Sequence, residues 1–169
     1  LHSAMSTRQS DEVFASNLAR RQQLAADDHS ALAQVTRASS LFYREWHAFN
    51  EARTRLRWAW HEFFKDYDLL LTPACVTPAF PHDQNPQLSQ RTLVVNNEPR
   101  PYFEQTFWAG LTGVSYLPST IVPTGLDPQG LPIGVQIVGR EMGDLGTIEF
   151  ARKIAALNGG FVAPQRYAS

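Results

Sequence analysis

The chain has 169 residues, 43% of them hydrophobic and 18% charged, with 15 basic against 16 acidic side chains and a net charge of −1. That composition suits one ordinary soluble domain with apolar residues enough for a core, and it gives neither nucleic acid nor an anionic membrane an electrostatic reason to bind. The single cysteine, Cys75, excludes an internal disulfide framework and makes the reducing cytoplasm the expected compartment, while no run of about 18 apolar residues is present to cross a bilayer. The chain opens Leu1-His2-Ser3 without an initiator methionine, and is expected to be cut from something longer.

The first element is a helix. Ser10 or Asp11 can cap it, Val13, Phe14, Leu18 and Leu24 are roughly helically spaced, and Arg20 and Arg21 complement the negative end of its dipole. It should close near Asp27 and Asp28. Asp27, Asp28 and His29 are metal-ligand types, but consecutive helical residues point in different directions, so a solvated turn is expected there.

A long amphipathic helix follows over residues 31–65, with a break expected near Ser39 and Ser40. Phe42, Trp46, Phe49, Leu56, Trp60 and Phe63 recur at alternating four- and three-residue steps, with Arg53 the one polar member of the seam. Arg44, Glu51, Arg55 and Glu62 occupy the other side. The expectation is a helix lying on a core, with a partner-binding seam as the alternative reading.

Residues 66–74 read as a short buried strand stopped by Pro73. Its continuous apolar run suits a strand covered on both faces, as in a mostly parallel sheet. Cys75, His82 and Asp83 then form a triad by residue type. Cys75 follows a strand end with no glycine-built oxyanion turn and nothing to lower its thiol pKa, so a buried structural thiol is expected. His82 and Asp83 should fix a proline-stiffened loop, with a place for His82 on a pocket wall left open.

Residues 92–99 read as a strand running into an Asn96-Asn97 turn, since asparagine tolerates the left-handed region. A helix carrying Tyr102, Phe103, Phe107, Trp108 and Leu111 should end near Thr112 and Gly113. Residues 119–122 and 133–138 are two β-branched runs flanking a segment dense in Pro, Gly and Asp, hence strand, turn, strand. Gly134 in mid-strand implies close backbone packing. The glycines of residues 139–147 fit no phosphate-loop spacing, so that stretch is a loop and cap before a last helix with Ile148, Ala151, Ile154, Ala155 and Leu157 on one side.

Leu117-Pro118, then Pro123-Thr124-Gly125, then Gly130-Leu131-Pro132-Ile133-Gly134-Val135-Gln136-Ile137-Val138-Gly139 closely resemble the C-terminal signature of the amidase signature family. In that signature Pro123, Gly125, Gly130, Pro132, Gly134, Gln136 and Gly139 stand at the family positions. The resemblance extends to Tyr67-Asp68-Leu69-Leu70-Leu71-Thr72-Pro73 and to an Ala79-Phe80-Pro81-His82-Asp83 loop similar to that of a subset of bacterial amidases, while Arg91 with Val95-Asn96-Asn97 approximates a further family turn. It implies an α/β fold, the C-terminal part of the amidase signature fold, with mixed central sheet strands flanked by helices. Residues 1–169 are then one partial domain, helical over 1–66 and carrying strands and helices of the sheet core over 67–169.

The resemblance implies a hydrolase that cuts carbon–nitrogen bonds of a small-molecule amide with a Ser, cis-Ser, Lys triad, using no metal and no organic cofactor. It also implies a substrate-pocket wall including Phe80, His82, Phe107, Trp108 and Thr112, although Phe107 serves equally well as a core aromatic. No catalytic residue is expected in the chain itself. The two lysines, Lys65 and Lys153, have no glycine-flanked serine loop to work with, and Ser39-Ser40 has no glycine near it. The chain alone is therefore expected to be inactive, with no nucleic acid or membrane partner, and a sheet cut along its length should form a homodimer or swapped self-association. The alternatives are a non-catalytic scaffold module and a fragment of the glutamine-hydrolysing component of an amidotransferase that serves transfer RNA.

Overall fold

The computed structural model describes residues 9–164. The chain divides into two compact units, Leu1–Ala59 and Trp60–Ser169.

The first unit is helical. Helix α1, Asp11–Gln22, starts at Ser10, whose Oγ accepts the Val13 N–H at 3.4 Å, with Asp11 and Glu12 in its first turn and Arg20 and Arg21 in its last. Asp28 Oδ1 accepts the Ser30 N–H at 2.8 Å and builds the turn into α2, Ala31–Ala38. Ser30 Oγ caps α2 by accepting from Ala33.

The helix expected over 31–65 is two helices, because the chain breaks at residues 39–42 before α3, Tyr43–Asp66. Buried Ser40 turns its hydroxyl back on the Thr36 carbonyl at 2.8 Å, and Glu45 accepts the Phe42 N–H at 2.9 Å to start the new helix. Arg21 spans the break, donating to the Ser40 carbonyl and to Glu45 Oε2, both at 2.9 Å. No residue of α3 is fully buried, but its two sides differ as the seam requires: Trp46, Arg53, Leu56, Trp60 and Phe63 are half-buried and Phe49 is 37% exposed, while Arg44, Glu51, Arg55 and Glu62 on the other side are exposed.

The second unit carries the sheet. Strands β1, Leu69–Pro73, β2, Thr92–Val95, and β3, Glu98–Pro101, precede helix α4, Phe107–Ser115; β4, Ser119–Leu126, β5, Pro132–Gly139, and α5, Asp144–Asn158, follow. The three-stranded sheet has the order β1-β5-β4, and β2 and β3 form a separate two-stranded ribbon. Every registered pair is antiparallel. The expectation of a parallel sheet around β1 is thus corrected. As an edge strand among the described residues, β1 buries only Thr72 and leaves Leu71 half exposed.

The core lies between β4, β5 and α5: Val122, Ile137 and Ala151 are buried, with Leu69, Val135, Phe150, Ile154 and Ala155 packed around them. Of the apolar positions expected on the inner side of α5, Ile148 and Leu157 are exposed instead. The residues of β5 from Gln136 to Gly139 are all buried. The helix expected to stop near Thr112 and Gly113 continues to Ser115. It closes there because Tyr116 takes a left-handed conformation (φ 59°) and Leu117 N–H reaches back to the Thr112 carbonyl at 3.1 Å.

Candidate functional site

The β4–β5 hairpin builds its own turn. Asp127 N–H donates to the Leu131 carbonyl at 2.9 Å, and Asp127 Oδ1 accepts from the N–H groups of Gln129 (2.9 Å) and Leu131 (2.8 Å). Gly130 at φ +81° completes a geometry that a side chain would strain. The register shifts between Pro123 and Gly125, leaving Thr124 as the extra residue of a bulge.

Two signature glycines give room rather than flexibility. A Cβ on Gly134 would lie 3.0 Å from the Val122 carbonyl oxygen, and one on Gly139 only 2.7 Å from Thr147 Cγ2. Thr147 has nowhere to go: its hydroxyl donates to the Asp144 carbonyl at 2.8 Å and accepts the Thr120 hydroxyl at 2.8 Å. Gln136, buried at 3% exposure, donates from Nε2 to Thr72 Oγ1 (3.1 Å) and to the Trp108 carbonyl (3.4 Å), joining β5 to β1 and α4.

Two grooves of about 350 and 370 Å³ meet along Thr77, Pro78 and Ala79. The first is lined by Pro78, Phe80, Leu93, Asp127, Gln129 and Leu131 among others; the second runs past Pro73, Cys75, Val76 and the Pro132-Ile133-Gly134 strand start. The proline-rich segment is held in place by Gln105 Nε2 donating to Thr77 Oγ1 at 2.7 Å and by an edge-on contact of Phe80 with Tyr102 at 6.1 Å.

Of the five expected pocket-wall residues, Phe80 lines the first groove, and the other four line neither of these two. His82 is exposed, Phe107 is 59% exposed, Trp108 is half-buried, and buried Thr112 bonds its own helix through the Ala109 carbonyl. The expectation of a buried Cys75 is also corrected: its thiol is exposed, since the residues after β1 leave the sheet along the open groove. Asp83 Oδ1 is engaged by the Asn85 N–H at 2.9 Å, forming a local turn. Asp127, Leu131 and Thr77 line the first groove without having been singled out from sequence. The signal available for Asp127 and Leu131 was the turn following β4, and for Thr77 the proline-rich segment after β1.

The lysines and paired serines offer no catalytic constellation. Lys65 donates to both Glu62 carboxylate oxygens at 2.7 Å on the surface, Lys153 is exposed, and the Ser40 hydroxyl is engaged in its own helix.

A family model described as Amidase matches residues 3–147. The chain belongs to the amidase family. Among curated relatives of this amidase chain, fatty acid amide hydrolase of Oryza sativa is 32% identical over 139 residues, covering 82% of the chain and 21% of the relative. The A component of the Chlamydia trachomatis glutamyl-tRNA(Gln) amidotransferase is 31% identical over 105 residues, covering 62% of the chain and 18% of the relative. The chain thus spans about a fifth of the length of these relatives. Among solved structures, the A component of the Thermotoga maritima glutamyl-tRNA(Gln) amidotransferase superposes with a TM-score of 0.57 at 20% identity, over 95% of this chain and 43% of that one. A protein from a vestigial complex bearing on the origins of an s-triazine catabolic enzyme gives 0.65 at 18% identity, over 94% of this chain and 33% of that one. These two likenesses show the α/β fold.

Proposed function

We propose that residues 1–169 are the C-terminal segment of one amidase domain and that the whole protein hydrolyses a small-molecule amide to a carboxylate and an amine. The observation that carries this reading is family membership over residues 3–147 in a chain holding the signature hairpin but no glycine-flanked serine loop. The nucleophilic serine, the relay serine and the lysine base lie in segments outside these residues, which supply late sheet strands and one wall of the cleft. Phe80 is the wall residue of the first groove, and exposed His82 and Phe107 are available to the rest of the cleft in the whole protein. The reducing cytoplasm is the compartment proposed. No helix among the described residues is long and apolar enough to cross a membrane.

The only half-buried apolar seam of α3 and the β4 edge, which pairs with β5 alone among the described residues and leaves Ile121 60% and Leu126 66% exposed, favour self-association of this segment when it is alone. Light scattering at rising concentration tests that, and a monomer at every concentration would oppose it. For the main reading, the protein expressed from its gene is assayed against aliphatic, aryl and fatty amides. Turnover of at least one supports amide hydrolysis. Ligand binding without turnover by any of them would favour a scaffold module.

A further inference from the structure

The first groove contains one feature that the folding of the hairpin does not use. Both backbone N–H groups that Asp127 receives fall on Oδ1, and Oδ2 makes no bond among the described residues. Asp127 is also the one charged side chain among the groove's lining residues, and Phe80, Leu93 and Leu131 cover its apolar side. A volume of about 350 Å³ is at the lower end of small-ligand sites. An apolar cleft lined by one partly exposed carboxylate, one of whose oxygens takes no protein donor among the described residues, is complementary to an amphipathic cation or to a polarised N–H.

We propose that this groove is a subsite for the amine-bearing half of an amide, with Asp127 Oδ2 accepting from the nitrogen and Phe80, Leu93 and Leu131 enclosing the attached alkyl or aryl group. The assignment rests on the amide-hydrolase reading. It also explains the division of labour on Asp127, one oxygen fixing the turn and the other facing no protein donor. A hydrolysed amide releases its amine as an ammonium ion, whose charge strengthens the same contact after bond cleavage.

The test is calorimetric titration of the protein carrying this chain, as expressed from its gene, with 2-phenylethylammonium and with neutral 2-phenylethanol at pH 7. The ammonium ion should bind roughly tenfold tighter than the alcohol. Asp127→Asn keeps the Oδ1 acceptor of the turn and should abolish that preference while leaving alcohol affinity unchanged, which also reports intact folding. Phe80→Ala, which leaves the turn alone, should weaken both ligands alike by roughly fivefold. Equal affinity for amine and alcohol in the unmodified protein, a preference that survives Asp127→Asn, or indifference to Phe80→Ala would overturn the assignment. Amine preference without any amide turnover would keep the groove as an amine site but overturn its place in an amide hydrolase; turnover without the amine preference would overturn the subsite alone.

Discussion

Thr72 and Gln136 are direct partners in the β1–β5 register, and their side chains meet in a hydrogen bond of 3.1 Å with both residues buried. The same amide reaches the Trp108 carbonyl, so one side chain fastens two strands and a helix. Gln136→Leu removes the donor from both acceptors at once. It should destabilise the protein by about 1–3 kcal/mol, read as a lower urea midpoint at unchanged slope. Thr72→Val, which leaves the Trp108 contact in place, should cost less.

Gly139→Ala should be destabilising by about 1–3 kcal/mol through overpacking, since the new methyl meets Thr147 Cγ2 at 2.7 Å and Thr147 is held by two hydroxyl bonds. Thr147→Ser removes that methyl and keeps the hydroxyl. Combined with Gly139→Ala it should recover most of the loss in a double-mutant cycle, and additive costs would refute the steric cause.

Glu45 predicts an acid sensitivity of the helical unit. The Arg21 side-chain hydrogen bond first, then the Phe42 N–H, hold its carboxyl down at about 2, against an ordinary 4.5. The unfolded chain takes up a proton as pH falls past 4.5 while the folded one does not, so the stabilisation is complete above that pH and is lost on acidification to about 2. The pair is partly exposed, which limits its contribution to about 1 kcal/mol. Melting followed by circular dichroism should lose stability across this window, and Arg21→Met or Glu45→Gln should flatten the loss.

Cys75 should react with iodoacetamide in the native protein at a rate within about tenfold of a free thiol, because it is exposed beside the groove. Protection comparable to a core cysteine would mean that the segment after β1 is covered.

The hairpin was legible because its information is local: β-branched runs on either side of Pro, Gly and Asp specify two strands and a turn, and Asn96 and Asn97, at φ 52° and 65°, tighten the β2–β3 connection as their tolerance suggests. The bulge at Thr124 was not legible, since it depends on how β4 registers against β5. Nor was β3, whose Pro99 and Pro101 argue against a strand; a two-stranded ribbon with exposed residues tolerates them. The exposure of Cys75 and the full burial of Gln136 were beyond reach for a shared reason. Burial depends on which elements pack together, and Gln136 is covered by Thr72 and Trp108, 64 and 28 residues away. Asp127 read as turn chemistry, which uses one of its oxygens and says nothing about the other.

In the proposed function, the nucleophile of the amide hydrolase lies elsewhere in the protein. Labelling the protein expressed from its gene with a fluorophosphonate, followed by peptide mapping, tests this directly. The account predicts one labelled serine, outside residues 1–169; a label on a serine within them, such as Ser40 or Ser115, would contradict it.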